Sequence, residues 1–230
     1  RPTDRPIFAG LAAIAGILVA LVAWYMTRFK HRCTYVGEDG IAQLNLSGSR
    51  DAQPNVRMLL FGDASSMQAP QTRQFVNGIY TGTDYDYRWF DEQGNKLYRL
   101  NGRYVGKDKP PKPGSPFHFA WAAEIAWSQH ILARYMHQLE TEGSMAFPVD
   151  KKRLVRVGQG FLEFHFGEEP VRVTREEIAS VTLGGGMFSF KHKDAKWYRS
   201  AGKYSFQYGR MANGKVFLLA LDKLMGYRWK

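Results

Sequence analysis

The six histidines, the single cysteine and the acids near them are the side chains best suited to catalysis or metal binding, and their spacing favours neither. His118, Glu124 and His130 stand six residues apart, a rotation of roughly 600° on a helix, so neighbours fall on different faces instead of converging on an ion. His130 and His137 do share a helix face, but Arg134 lies between them and its charge opposes a bound cation. Gly184-Gly185-Gly186 lacks the Lys-Ser/Thr that completes a phosphate-cradling loop and reads as a hairpin turn. Asp84 and Asp86 alternate with Tyr85 and Tyr87 and are expected to face solvent together. Cys33 has basic neighbours and a position that permits palmitoylation, although a lone unmodified thiol is the simpler reading; one cysteine cannot form an internal disulfide framework. The expectation is a protein that is not an enzyme and has no catalytic, cofactor-binding or metal-ligating residues.

Charge points instead to binding. Formal net charge is +11, and residues 151–230 alone carry +9 of it. Lys151, Lys152, Arg153 and Arg156 form one cluster; Lys191, Lys193, Lys196, Arg199 and Lys203 form another on a predicted hairpin. Trp197, Tyr198, Tyr204 and Phe206 interleave the second cluster, as they would in a base-stacking platform. Alternating aromatics also make the buried face of an ordinary strand, and no nucleic-acid signature accompanies them. The expected partners are therefore an anionic bilayer surface and other membrane protein subunits, with no nucleic acid and no small-molecule substrate.

The elements that must carry these residues begin with Ile7 to Met26, an uncharged run of about 20 residues, the length expected of a membrane-spanning helix. Trp24-Tyr25 suits the headgroup boundary, and Arg28, Lys30 and Arg32 follow, predicting a cytoplasmic C-terminal side and contact with anionic headgroups. Ala12, Gly16 and Ala20 recur every fourth residue and predict a small-residue face on which another helix packs. The expected localisation is the cell membrane, specifically a bacterial inner membrane, with a single-pass anchor.

Beyond the span, Ile41 to Leu46 and Tyr85 to Trp89 alternate as strands, Val56 to Phe61 is a β-rich run, and Asp91 to Asn95 is a hairpin turn before a returning strand from Lys96. A period near 3.6 then predicts a helix from Ser115-Pro116 to Gly143. Short strands follow over Leu154–Phe166, Val171–Val173, Ile178–Leu183, Met187–His192, Trp197–Tyr198 and Tyr204–Tyr208, and Asn213-Gly214 opens a last helix. Strands followed by one helix thus occur twice, which proposes an internal duplication.

The stretch Arg153 to Val157, Gly160 to Phe164, Val171-Arg172-Val173 and Glu176 to Val181 resembles the opening of bacterial pleckstrin-homology-like (PH-like) domains, with a basic first strand and an I-x-x-V turn. The resemblance covers about 80 residues. It implies a bent β-barrel capped by a C-terminal helix, and a binding or scaffolding module. The expected fold is an N-terminal transmembrane α-helix (1–32) followed by an α+β region of two tandem PH-like bent β-barrels, 33–148 and 149–230, each closed by a C-terminal helix. The expected function is a membrane-anchored, non-catalytic accessory or scaffold subunit of a larger membrane protein assembly, and the alternative is an anionic-lipid-binding sensor or lipid-handling protein at the cytoplasmic membrane surface.

Overall fold

The computed structural model describes residues 5–26, 29–48, 53–106 and 111–227. The chain runs through α1 (Arg5–Met26), β1 (Phe29–Val36), β2 (Gly40–Gly48), β3 (Asn55–Leu60), β4 (Ser66–Gln68), β5 (Gln71–Val76), β6 (Ile79–Phe90) and β7 (Lys96–Tyr104). There follow α2 (Phe117–Glu142), β8 (Ser144–Pro148), β9 (Leu154–Gly158), β10 (Phe161–His165) and β11 (Val171–Thr174). The last elements are β12 (Ile178–Gly184), β13 (Met187–His192), β14 (Lys203–Gln207) and α3 (Gly214–Met225). Two compact units divide the chain: residues 1–35 with 42–57, and residues 36–41 with 58–230.

The first unit holds α1 and most of a three-stranded sheet of order β1-β2-β3. Within it Arg32 Nε donates to Asn45 Oδ1 at 3.0 Å, and Gln43 Nε2 donates to Thr34 Oγ1. The side chains described on α1 are those of residues 14–25, and all are exposed.

In the second unit, β6 is the long central strand. It pairs with β4 and β5 along one edge and with β7 along the other, antiparallel throughout. Its alternation buries Tyr85, Tyr87 and Trp89 and turns Asp84, Asp86 and Arg88 outward. The outward acids meet cations from the neighbouring strand: Arg103 Nε lies 2.6 Å from Asp84, Arg99 Nε lies 2.7 Å from Asp86, and Arg88 pairs with Asp86 as well. β8, β9, β10 and β11 form a second sheet, and β12, β13 and β14 a third.

α2 starts at Pro116, where a missing N–H costs nothing, and Ser115 Oγ accepts from Phe117 N. It stops at Gly143, whose φ of 71° lets its N–H close on Leu139 O at 2.9 Å. Ala120, Ala123, Trp127, Ile131 and Tyr135 form its buried stripe. α3 buries Val216, Phe217, Ala220, Leu221 and Met225. Phe217 meets Phe147 of β8 at 5.3 Å, Phe188 of β13 at 5.2 Å and Phe206 of β14 at 6.0 Å, so one ring joins the second and third sheets. All these residues belong to one apolar cluster that also contains the β6 aromatics. Each fully buried phenylalanine there contributes about 2 kcal/mol.

Two expectations are corrected. Among the described residues no helix is long and apolar enough to cross a membrane. The transmembrane anchor, its single-pass topology and the inner-membrane placement that rested on it are therefore withdrawn. Among the described residues the sheets also do not close into barrels. β11 and β12 follow each other in sequence yet end different sheets, because a 3-10 turn over Arg175–Glu177 separates them. A capping box holds that turn: Glu177 Oε2 accepts from both Thr174 N and Thr174 Oγ1, so the chain changes direction instead of continuing a barrel.

Candidate functional site

The loop between β13 and β14, residues 193–202, leaves the sheet where His192 N donates to Gly202 O at 2.8 Å. Trp197 stands on it at 86% exposure and Tyr198 at 58%, their rings 5.6 Å apart and edge to face. The sequence predicts a strand at Trp197-Tyr198, but two adjacent aromatics cannot both enter one face of a sheet, and here both project from a turn. Around them lie Lys191, Lys193, Lys196, Arg199 and Lys203, all exposed. Lys191 and Lys203 sit directly opposite each other on β13 and β14, a pairing of like charges that opposes folding. Lys203 Nζ is held by Trp197 O at 2.9 Å, and the Arg199 guanidinium lies 5.8 Å from the Tyr198 ring centre. Asp194 is the acid in this loop; its carboxylate is 92% exposed and 3.7 Å from His192 Nδ1.

The second cationic cluster behaves differently. Asp150 accepts from Lys152 N, Arg153 N and Arg153 Nε, and these contacts hold its carboxyl below the usual carboxylate range. Arg153 also lies 5.2 Å from the Phe166 ring centre, and Arg156 Nη1 meets Glu142 at 2.8 Å. Much of the charge read from Arg153 and Arg156 is therefore neutralised locally, while Lys151 and Lys152 remain exposed. Of the remaining predicted contact residues, Gly16 and Ala20 are exposed on α1, and a Cβ built at Gly16 meets nothing within 4 Å. Arg28 and the side chains of Ala12 and Lys30 lie outside the described residues. Cys33 is an exposed free thiol.

The candidate catalytic residues disperse. His118 Nε2 lies 3.1 Å from Lys112 O, His130 stacks on Trp127, and Arg134 Nη2 donates to Ser65 O at 3.2 Å. Gly185 and Gly186 have φ of 58° and 78° and form the tight β12–β13 turn. Among the described residues no three His, Cys, Asp or Glu side chains gather as a metal site.

One titratable cluster was not read from the sequence. Glu124 of α2 accepts from Tyr87 Oη at 3.4 Å; Gln71 Nε2 donates to Tyr87 Oη at 3.1 Å, and Tyr104 Oη to Gln71 Oε1 at 3.2 Å. Burial pushes the Glu124 carboxyl up, against the pull of the Lys215 charge and the Tyr87 hydroxyl. Burial, reinforced by Glu124, likewise raises Tyr87 and Tyr208. The adjoining cavity is about 10 Å3, room for one water and not for a substrate. Glu124 directly follows buried Ala123 and sits three residues before buried Trp127, so its place beside the core stripe was the available signal. No protein-family model matches this chain, and no curated protein matches it.

Proposed function

We propose that this chain is a non-catalytic accessory or scaffold protein that docks on the acidic surface of a partner protein through its β13–β14 loop. The observation that carries this reading is Trp197, 86% exposed among five cations. An exposed indole costs hydration free energy unless something covers it, and Trp, Tyr and Arg are the residues that dominate protein interfaces. The opposed Lys191 and Lys203 favour the same conclusion, since an acidic surface relieves their repulsion.

The test is site-specific photocrosslinking from Ser200, an exposed loop position that leaves Trp197 and the cations intact. Irradiation of cells should give one discrete protein adduct, with the crosslink on an acidic patch of the partner. The adduct should disappear in Trp197→Ala combined with Lys193→Glu and Lys196→Glu. Labelling confined to lipid would replace protein docking by headgroup binding, and an adduct insensitive to these substitutions would remove the loop from the interface.

A further inference from the structure

A groove of about 990 Å3 lies beside the C-terminal half of α2, between the β6–β7 turn and the β8–β9 turn. It is at the upper end of the size range of ligand sites, about 300 to 1,000 Å3. Phe90, Tyr135, Pro148 and Val149 supply its apolar lining. Its acids are largely committed elsewhere. Glu142 is held by Arg156 and Gln138, Asp150 by Arg153 and two backbone amides, and Asp91 by the Asn95 amide groups. Glu92 is the remaining acid on the wall.

The cations are not matched in the same way. Lys151 from the β8–β9 turn and Arg210 from the turn before α3 are exposed and form no ion pair among the described residues. Arg134 of α2 uses one guanidinium nitrogen on Ser65 O. Three elements thus bring Arg134, Lys151 and Arg210 to one groove, in which Glu142 and Asp150 are paired with arginines and Asp91 and Glu92 are the acids with no ion pair among the described residues. β8 ends its sheet, and the amide of Ala146, a residue of the groove wall, is met on that edge by the side-chain carbonyl of Gln138 at 3.0 Å. A peptide carbonyl has the same chemistry and can take that place.

We infer that this groove binds an extended acidic peptide segment of a partner protein. Size favours a peptide over a small anion, and the cations set the sign of its charge. The site is separate from the β13–β14 loop and does not depend on it.

The probe is fluorescein-labelled hexaglutamate, titrated with the whole chain by anisotropy, with hexaglutamine as the neutral control. Hexaglutamate should bind at low salt and be released at 1 M, where the Debye length is about 3 Å. Lys151→Glu with Arg210→Glu should weaken binding about tenfold, whereas Lys193→Glu with Lys196→Glu should change it by less than about twofold. Should the double reversal unfold, Lys151→Gln with Arg210→Gln reads the same site and should weaken binding about threefold. Absence of hexaglutamate binding, equal binding of hexaglutamine, full displacement by equimolar inorganic phosphate, or a larger loss from the loop variants would each overturn the assignment.

Discussion

Asn213 is the residue whose removal should cost the fold most for its size. It is 5% exposed, sits at φ 56° and ψ 40° ahead of α3, and bonds through both side-chain acceptor positions, one side-chain donor and its backbone N–H and carbonyl. Its Oδ1 accepts from Trp127 Nε1 at 2.9 Å and Met67 N at 3.0 Å, and its Nδ2 donates to Tyr135 Oη at 2.9 Å. Its backbone N–H donates to Met67 O, and its carbonyl accepts from Phe217 N. Asn213→Ala strands three buried partners at about 1 to 3 kcal/mol each and places an alanine in the left-handed region at about 1 kcal/mol more, so a loss of roughly 4 to 10 kcal/mol follows. That is a large share of the 5 to 15 kcal/mol typical of a folded domain. Urea unfolding of the chain, followed by tryptophan fluorescence, measures it. Tyr135→Phe should cost about 1 to 2 kcal/mol, and the double variant should cost less than the sum, because Nδ2 and the hydroxyl are lost together. A loss below about 1 kcal/mol for Asn213→Ala would refute the reasoning that this side chain ties α2, β4 and the start of α3 into one core.

Glu124 sets a pH dependence of defined sign. Its folded pKa is raised above the unfolded value, so the folded state holds the proton more tightly, and stability declines as pH rises from the ordinary carboxylate range through the folded pKa. Glu124→Gln should flatten that part of a urea-midpoint profile between about pH 4 and 8, and an unchanged slope would assign the effect to another group. Gly143→Ala should cost about 1 kcal/mol in thermal unfolding, entirely from its positive φ, since a Cβ there meets nothing within 4 Å.

How far the sequence disclosed the fold depended on the range of the interactions involved. β6 was legible because Tyr85, Tyr87 and Trp89 alternate with charged residues, and α2 because Ser115-Pro116 and Gly143 are local start and stop signals. β4 and β5 were not, since their residues 66–68 and 71–76 bury only Met67 fully and show no apolar alternation. Asn213-Gly214 did announce α3, but the partners of Asn213 lie 78, 86 and 146 residues away, and nothing local encodes them. The groove cations Arg134, Lys151 and Arg210 come together only through tertiary structure. Apolar length at Ile7–Met26 suggested a span, and alternating strands suggested barrels. Neither composition nor period shows whether a sheet's last strand returns to its first, and here the Arg175–Glu177 turn sends β12 to another sheet.

Whether the β13–β14 loop is a protein-docking surface is decided by native mass measurement of the complex isolated from cells with the intact chain. The wild-type chain should carry one partner in stoichiometric amount. Trp197→Ala with Lys193→Glu and Lys196→Glu should be recovered alone, with its unfolding free energy changed by no more than about 0.5 kcal/mol, because all three side chains are exposed. Recovery of the same stoichiometric complex with this folded variant would contradict the docking role assigned to Trp197 and its surrounding cations.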